Sequence, residues 1–286
     1  MSIRTIAIET TEKAFLPEAY AYRDFFQQKG YVCDLQQKGS PSILDYDAVL
    51  LFHGFHPFWK PYPKFIIGEY HSLSTGNHGR LKDRLKRAIN IKANFYIFLN
   101  DEVREKLWFS NTTPHLIRGM GYHKADFDSL KDDNKLYDVV YCGSFRPGVP
   151  EALFRLADLG LSIALAGFKT SLPHDNIHEL GRVTPVEARQ IIAQSKYGLN
   201  FTPNIFPLNI QDSTKVIEYC AAGLGVITNR YQWVNEFEAQ RGGKFLTLSD
   251  INCLEDVTSF DFVIPEVNDL SWEAIFESLE IEAYLS

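Results

Sequence analysis

The sequence lacks several of the features that identify the structural or functional class of a protein directly. Its 286 residues include only four cysteines, which stand far apart and form no Cys-x-x-Cys pair: Cys33, Cys142, Cys220 and Cys253. This spacing argues against a disulfide framework and a zinc site, so we expect buried thiols. No run approaches the roughly 18 apolar residues of a membrane span, and the first residues lack the apolar core of a signal peptide. We therefore expect a cytoplasmic protein.

The chain also lacks the glycine patterns of common nucleotide-binding loops, both Gly-x-Gly-x-x-Gly and the Walker loop. Its net charge is −7, and the two halves differ: up to Asn134 there are 18 Lys and Arg against 16 Asp and Glu, and beyond it 11 against 20. The acidic total argues against a dedicated nucleic-acid-binding protein. The asymmetry indicates that the first half faces something anionic.

What the sequence does contain is a regular alternation of short apolar runs with helical patterns, which is typical of βαβ units and parallel sheets. The predicted strands are residues 3–8, 32–35, 48–52, 65–67, 96–99, 115–117, 137–142, 162–166, 177–180, 197–201 and 225–228. Helical patterns cover 17–29, 81–91, 102–109, 149–159, 185–195 and the segment from Ser213. The pattern predicts an α/β protein with two Rossmann-like, doubly wound domains facing a central cleft.

A polar, charged segment at 124–134 interrupts the alternation, and we place the interdomain linker there. The predicted domains are residues 1–134 and 135–267. The last segment, 268–286, has a helical pattern and is expected to pack back on the first domain.

Two constellations could carry chemistry. A strand ends in Gly143-Ser144-Phe145-Arg146 immediately before a helix, where glycine lets main-chain amides approach an anion and arginine can bind a pyrophosphate. Ser213 and Thr214 open a later helix that carries Lys215 and Glu218 on one face, at i and i+3. A helix N-terminus and a lysine suit phosphates, and a glutamate suits ribose hydroxyls. An ordinary strand-to-helix turn and an exposed Lys–Glu pair are the alternatives.

Together these two constellations resemble the nucleotide-sugar domain of GT-B fold glycosyltransferases, especially those that build bacterial surface polysaccharides and glycolipids. In that family a Gly-x-Arg-type loop and a Lys/Glu-bearing helix followed by Ala-Ala-Gly bind the donor. The similarity covers residues 137–231. It implies a donor site made of seven residues: Gly143, Ser144, Arg146, Ser213, Thr214, Lys215 and Glu218. It also implies that residues 135–267 bind a nucleotide diphosphate sugar as donor, without a separate cofactor, and that residues 1–134 form the acceptor-side domain.

The first half contributes candidates for the reaction centre. The segment that ends in Glu69-Tyr70-His71 is similar to the family's fourth strand, which ends in a histidine beside the reacting sugar. By that match His71 orients the sugar or acts as base, with Glu69 beside it; a histidine that only caps a strand is the alternative. His53 and His56 follow a strand, so their rings need not converge, and no third ligand is evident. We predict no metal.

The sequence departs from the family in ways that affect the chemistry. Many members carry a sugar-contacting glutamate eight positions before Glu218, and this chain has Ile210 there, with Asn209 and Asp212 as nearby substitutes. No lysine follows Arg146 closely. Asp126-Phe127-Asp128 has the Asp-x-Asp form of another glycosyltransferase fold, but it lies in the predicted linker and GT-B enzymes use helix dipoles and basic side chains instead.

Residues 78–92 contain six Lys and Arg and one Asp, with Leu81, Leu85, Ala88 and Ile89 at helical spacing. A basic amphipathic helix can lie on an anionic membrane, and a lipid-linked acceptor would make such contact useful. The alternative is a solvated charged face over a packed apolar stripe.

We therefore expect a metal-independent glycosyltransferase that transfers a sugar to a glycan or lipid-linked acceptor in the synthesis of cell-surface polysaccharide. The resemblance favours retention of anomeric configuration. We expect the protein in the cytoplasm, with possible peripheral contact at the inner face of the membrane, and no nucleic-acid partner. A nucleotide-sugar epimerase or hydrolase of the same fold is one alternative. The other is a non-catalytic sugar-nucleotide-binding partner of a larger assembly.

Overall fold

The computed structural model describes residues 3–11, 16–128, 134–170 and 173–285. These residues divide into two compact units. The N-terminal unit comprises Met1–Gly121 together with Asp269–Ser286, and the C-terminal unit comprises Tyr122–Asn268.

Every strand lies in one of two parallel sheets. In chain order the strands are β1 Thr5–Thr10, β2 Val32–Gln37, β3 Ala48–Phe52, β4 Phe65–Tyr70, β5 Phe95–Phe98, β6 His115–Ile117, β7 Tyr137–Cys142, β8 Ile163–Ala166, β9 Ile177–Gly181, β10 Ser195–Asn200, β11 Gly225–Thr228 and β12 Leu246–Thr247. The helices that connect them are α1 Pro17–Gln28, α2 Gly79–Ile89, α3 Asp101–Lys106, α4 Lys124–Asp128, α5 Val149–Asp158, α6 Pro185–Ala193, α7 Thr214–Ala221, α8 Gln232–Arg241, α9 Leu254–Thr258 and α10 Trp272–Leu279.

The sheet of the N-terminal unit has the strand order β2-β1-β3-β4-β5-β6, with all described pairs parallel. Its inner strands β1, β3, β4 and β5 are buried on both faces because helices and loops cover both sides. Along β1, Ile6 and Ile8 pack against α1 and α10, whereas Ala7 between them packs toward Ile43 on the other face. The segment 269–285 contributes Trp272 and Phe276 to this core, and α10 packs on α1.

The sheet of the C-terminal unit has the order β12-β11-β10-β7-β8-β9, again parallel. Apolar side chains of α5, among them Leu153 and Leu156, pack on the strands β7, β8 and β10. Tight approach of helix to strand requires glycine at one point: a Cβ on Gly198 in β10 would lie 2.2 Å from the ring of Tyr219 in α7.

The predicted fold class is confirmed: the chain is an α/β protein with two doubly wound, Rossmann-like units. Predicted strands 48–52, 115–117, 137–142 and 225–228 have the observed bounds, and the other predicted elements differ by a few residues at their ends. The sequence analysis missed α8, β12 and α9, since β12 is only two residues long and α8 has little apolar periodicity. Of the predicted linker at 124–134, residues 124–128 form α4, and 129–133 lie outside the described residues.

Both sheets reverse their strand order once. In the N-terminal unit the chain moves from β1 outward to β2 and then returns to the other side of β1 with β3. In the C-terminal unit it moves from β7 to β8 and β9, then returns with β10. Loops on the two sides of such a reversal leave a crevice at the carboxyl ends of the strands, where ligands of open α/β sheets bind.

Candidate functional site

In the C-terminal unit the reversal between β7 and β10 lies under the start of α7. Ser213 is the N-cap of α7, accepts a bond from the Val216 amide, and donates from its hydroxyl to Asn200 Oδ1 at 2.9 Å. Asn200 in turn donates to Thr228 Oγ1 at 2.9 Å and to the Tyr231 hydroxyl at 3.1 Å. This buried network joins β10, β11 and the first turn of α7, so the helix N-terminus is held rigidly at the strand ends.

The loop after β7 supplies main-chain donors. In the described part of the chain, the amides of Ser144, Phe145 and Arg146 donate no hydrogen bond to another group of the protein. The Tyr141 hydroxyl donates to the Ser144 carbonyl at 3.1 Å and holds the turn in place. Three successive amides without an internal acceptor form a concave site for an anion.

A close main-chain approach shapes this loop. Gly167, which follows β8, has a φ of 114°, and a Cβ there would lie 2.1 Å from the Gly143 carbonyl oxygen. Gly148 has a φ of 90°, and a Cβ there would lie 2.4 Å from the ring of Phe201. Both positions therefore require glycine, for backbone conformation and for space. The sequence indicated the glycine-containing turn but not the second glycine that packs against it.

Two cations converge on the loop. Arg146 donates from Nη1 to Thr202 Oγ1 at 3.3 Å. The main chain of Thr202 is in turn held by two hydrogen bonds with the side chain of Asn229. The Lys215 ammonium lies over the ring of Tyr141, 5.6 Å from its centroid. Burial and, to a smaller extent, the neighbouring positive charge of Arg146 lower the pKa of Lys215 to about 8, although the charge of Glu218 acts in the opposite direction.

Glu218 lies one turn after Lys215 on the same face of α7, as the spacing predicted. Burial raises the pKa of this carboxyl to about 7, although the charges of Lys215 and Arg189 act in the opposite direction. Within the described residues, no hydrogen bond or ion pair joins the Lys215 ammonium to a carboxylate. Both groups are thus partly desolvated and act on each other electrostatically, but within the described residues neither has a hydrogen-bond or ion-pair partner, which is the usual condition of groups that bind or transform a ligand.

In the N-terminal unit, Glu69 is sealed inside the protein. Its exposed fraction is 1 %, and its carboxylate forms a short ion pair with the Arg118 guanidinium, which is equally buried. Burial favours the neutral acid, but the Arg118 and His71 charges outweigh it and hold the pKa of Glu69 below its usual value. Arg118 also packs over the ring of Trp272 in α10, 5.0 Å from its centroid.

His71 directly follows β4 and lies between two carboxylates. Its Nδ1 is 3.4 Å from Glu18 Oε1 and 3.7 Å from Glu69 Oε1, while 30 % of the side chain remains exposed. Burial opposes protonation, but the two carboxylates outweigh it and raise the pKa of His71. Burial also raises the pKa of Glu18. Sequence analysis missed Glu18 and Arg118, because both reach Glu69 from elements far away in the chain.

The other candidate ligands of the sequence are engaged by protein groups. The rings of His53 and His56 do come together, with centroids 5.5 Å apart. His56 is hydrogen-bonded to Glu9, however, and His53 is hydrogen-bonded to the side-chain amide of Asn90. Asp126 forms an ion pair with Arg189 at 3.2 Å. In the residues that the structure describes, no group of three or more His, Cys, Asp or Glu side chains is arranged to hold a metal ion.

Ile210, which stands where the family has a sugar-contacting carboxylate, is buried in a short 3-10 turn, Leu208–Ile210. The neighbouring Asn209 is different. Its side-chain oxygen Oδ1 is buried and finds no hydrogen-bond partner in the described part of the protein. Of the two substitutes that the sequence offered, Asn209 therefore has an acceptor without an internal donor.

Helix α2 carries its apolar side chains outward. Leu81 is 65 % exposed and Leu85 is 47 % exposed, whereas Asp83 is buried and accepts from the Ser74 amide. Arg84 lies over the exposed ring of Trp108, 5.4 Å from its centroid. The packed apolar stripe that was the alternative for this helix is therefore not observed. No helix among residues 3–11, 16–128, 134–170 and 173–285 has the length and apolarity needed to cross a bilayer.

No family model matches this sequence, and no curated protein matches it. Solved structures do match along nearly the whole chain. They include AviGT4, a glycosyltransferase involved in avilamycin A biosynthesis, with a TM-score of 0.62 and 13 % identity over 99 % of this chain and 95 % of that one. Anabaena HepE, solved in complex with UDP-glucose, has a TM-score of 0.56 and 10 % identity over 98 % and 91 %.

The UDP-N-acetylglucosamine 2-epimerase of Rickettsia bellii is also similar, with a TM-score of 0.55 and 11 % identity over 100 % of this chain and 97 % of that one. At identities this low, the structural similarity establishes a common fold but not a common function, which must be argued from the residues of the site. With two parallel, doubly wound sheets and these structural relatives, the chain has the GT-B fold.

Proposed function

We propose that the protein is a glycosyltransferase that moves a sugar from a nucleotide diphosphate sugar to a glycan or lipid-linked acceptor in cell-surface polysaccharide synthesis. One observation carries this proposal: Arg146, Lys215 and the N-terminus of α7 bring positive charge to the strand reversal, and in the described chain neither cation is joined to a carboxylate by a hydrogen bond or ion pair. A nucleoside diphosphate is an anion of suitable charge for such a site.

The roles of the donor-site residues follow from their chemistry. The amides of Gly143–Arg146 and the first turn of α7 at Ser213 and Thr214 bind the diphosphate, and Arg146 and Lys215 stabilise the charge that develops as it leaves. Glu218 accepts from ribose hydroxyls. Asn209 Oδ1, which lacks an internal donor, accepts from a hydroxyl of the transferred sugar in place of the absent glutamate. No metal ion is required in this scheme.

We further propose that His71 contacts the reacting sugar, as the family resemblance implies. The buried carboxylates of Glu18 and Glu69 keep a proton on Nδ1, and the exposed side of the ring is then available as donor or base. Glu69 is buried against Arg118, so its effect passes through His71 and it does not touch the substrate. His71→Gln should reduce kcat by about 10²-fold or more and leave nucleotide affinity within about twofold.

Nucleotide binding is the first property to test. Isothermal titration with UDP, GDP and ADP should identify one diphosphate that binds the wild-type protein. Lys215→Ala and Glu218→Ala should each reduce that affinity about tenfold or more, because each removes a charged contact. Lys244→Ala, at an exposed lysine of the same unit, is the control and should bind normally. Normal binding in both site variants would mean that the donor site lies elsewhere.

A nucleotide-sugar epimerase is the second candidate, because the structural similarity to the Rickettsia bellii enzyme extends over the whole chain. The two activities differ in what they need. An epimerase or hydrolase changes the donor with no acceptor present, which proton NMR of the sugar nucleotide detects directly. A transferase leaves the donor largely intact until an acceptor is added. A protein that binds the nucleotide but yields no product with a panel of acceptors would be a non-catalytic partner.

We also propose that α2 docks on an anionic membrane, at the cytoplasmic face where a lipid-linked acceptor would be held. Exposed Leu81 and Leu85 would enter the headgroup region, and the surrounding Lys and Arg side chains would contact anionic lipid. Each nearby cation contributes about 1 kcal/mol to such binding. This arrangement explains why the helix exposes leucine and buries aspartate.

Co-sedimentation with phosphatidylglycerol vesicles tests this contact. The wild-type protein should bind these vesicles and not phosphatidylcholine vesicles. Leu81→Ser/Leu85→Ser should lose most of the binding, whereas Leu136→Ser, at a leucine that is 53 % exposed in the other unit, should retain it. Equal binding by the double variant would exclude α2 as the contact.

A further inference from the structure

The N-terminal unit has its own crevice at the strand reversal, on the side of β1 and β3. A cavity of about 270 Å³ opens there, between the ends of β1 and β2 and the loop after β3. Neither the donor site nor His71 contributes to its lining. It occupies the position at which open α/β sheets bind ligands.

A closed acid–histidine pair forms part of this cavity. Glu9 is near the end of β1. Its Oε2 lies 2.6 Å from His56 Nε2, and its Oε1 accepts a hydrogen bond from the Gly39 amide at 3.2 Å. Both side chains are buried. Burial raises the pKa of Glu9, but the bond to His56 and the charges of His56 and Lys38 lower it more, so the carboxylate stays ionised. The negative charge in the cavity is therefore already satisfied by the protein.

The cations of the cavity are satisfied less well. The Lys38 ammonium donates to the Phe55 carbonyl oxygen at 3.2 Å and lies 3.1 Å from His56 Nε2, which is already bound to Glu9, and neither neighbour is an anion. Both Glu9 oxygens are bonded to other groups, so this carboxylate acts on Lys38 only at longer range. Lys60 lies close enough for its charge to repel that of Lys38. An anion between the two ammonium groups would relieve the repulsion.

The walls of the cavity are apolar and partly aromatic. Ile43, Leu44, Phe55 and Tyr62 line it, together with prolines of the same loops, and Phe55 is 43 % exposed. A flat apolar ring with a charged neighbour fits a pyranose, whose C–H face packs on aromatic side chains while its substituents bind polar groups. A small inorganic anion would leave these walls uncovered.

We propose that this cavity binds an anionic sugar residue of the acceptor, with the sugar ring on Phe55 and its carboxylate or phosphate between Lys38 and Lys60. This proposal rests on the proposed function, since it supplies the substrate class of the acceptor. The ionised Glu9 carboxylate keeps a second negative charge out of the deeper part of the cavity.

The test uses simple sugars and the full-length protein. Saturation-transfer NMR and titration should show that methyl β-glucuronide binds. Its neutral counterpart, methyl β-glucoside, should bind at least about tenfold more weakly. Glucose 6-phosphate tests whether phosphate replaces carboxylate. Lys38→Gln should weaken either anionic sugar about tenfold and leave the glucoside unchanged, and Phe55→Ala should weaken all three. Lys64→Gln, at an exposed lysine outside the cavity, is the matched control.

Nucleotide titration of the same variants separates this proposal from the donor site. Lys38→Gln and Phe55→Ala should bind the nucleoside diphosphate as the wild-type protein does. Normal nucleotide binding together with equal affinity for glucuronide and glucoside would overturn the anionic-sugar site and leave the proposed function standing. Inorganic phosphate that competes with no sugar, or glucuronide affinity unchanged by Lys38→Gln and by Lys60→Gln, would overturn it as well.

Discussion

Each unit of this protein has a six-stranded parallel sheet with one reversal of strand order, but the two units differ in how their charged side chains are paired. In the N-terminal unit, Arg118 and Glu69 form a buried ion pair within the core. In the C-terminal unit, Lys215 and Glu218 are held on one helix face, and each has a pKa displaced by burial toward its neutral form.

This difference separates stability from binding. A buried pair of opposite charges that already face each other has little to offer a ligand, but breaking it leaves an uncompensated charge inside the protein. Buried charges without partners destabilise the free protein and gain most when a ligand of opposite charge or hydrogen-bonding capacity arrives. The N-terminal network should thus position His71, whereas the C-terminal pair should bind a ligand directly.

The largest effect should come from Arg118→Met. The change leaves Glu69 and Glu18 buried with one guanidinium fewer, so the N-terminal unit should lose about 3–5 kcal/mol of unfolding free energy. Urea titration followed by tryptophan fluorescence measures it, because Trp272 lies in that core. Arg80→Met, on an exposed arginine, should change stability by less than about 0.5 kcal/mol. A loss below about 1 kcal/mol for Arg118→Met would refute the idea that Arg118 compensates the buried charge of Glu69.

Gly167→Ala should have the next largest effect, now in the C-terminal unit. The added Cβ meets the Gly143 carbonyl at 2.1 Å in a backbone conformation that alanine rarely adopts. We expect a loss of about 3 kcal/mol and weaker nucleotide binding, since the donor loop must move. Gly160→Ala is the matched control, with a φ of 89° and open space around the Cβ, and should cost only about 1 kcal/mol. Equal costs would mean that the close approach is unimportant.

Glu218→Gln should have a smaller effect on stability, and in the opposite direction. The pKa of Glu218 is raised from 4.5 to about 7, so the stability it contributes is present below pH 4.5 and is lost as the pH rises through about 7. At pH 8 the carboxylate is therefore unfavourable, and glutamine should stabilise the free protein by about 1 kcal/mol after solvent screening is allowed for. The same variant should bind the nucleotide poorly. Thermal unfolding at pH 5 and pH 8 tests both signs.

The smallest effect should be on the pH dependence of nucleotide affinity. Lys215 has a pKa lowered to about 8, so its ammonium is lost as the pH rises past that value and the affinity for a diphosphate should fall several-fold between about pH 7.5 and 9.5. Bound anion will move the fall to somewhat higher pH. Lys215→Arg keeps its charge and should remove most of the fall, as calorimetric titration at several pH values would show. An identical fall in this variant would exclude Lys215 as its cause.

Much of the architecture could be predicted from local patterns. Apolar runs such as Ala48–Phe52 and Tyr137–Cys142 are recognisable because a strand that is buried on both faces needs no polar alternation. Ser213 as the N-cap of α7, and the shared face of Lys215 and Glu218, follow from helix geometry alone. The two-residue strand β12 and the weakly amphipathic helix α8 could not be predicted, since they depend on the sheet and helices around them.

The surroundings of the candidate site residues were harder to predict from the sequence. The sequence showed Glu69 and His71 as neighbours, but it could not show that Arg118, 49 positions away, seals Glu69 and that Glu18 faces His71 from α1. Similarly, the spacing of Leu81 and Leu85 predicted an apolar stripe on α2 without indicating that the stripe faces outward. Helical spacing defines a face, and only the packing of the other elements decides what covers it.

By itself, then, the sequence determined the alternation of strands and helices and the residue types at the two strand reversals, because these depend on the chemistry of neighbouring residues. The tertiary structure decided which of those charges are paired. Pairing requires side chains from distant segments to meet in a desolvated place, and it sets whether a buried charge becomes a support, as in Glu69 and Arg118, or stays available to a ligand, as in Lys215 and Glu218.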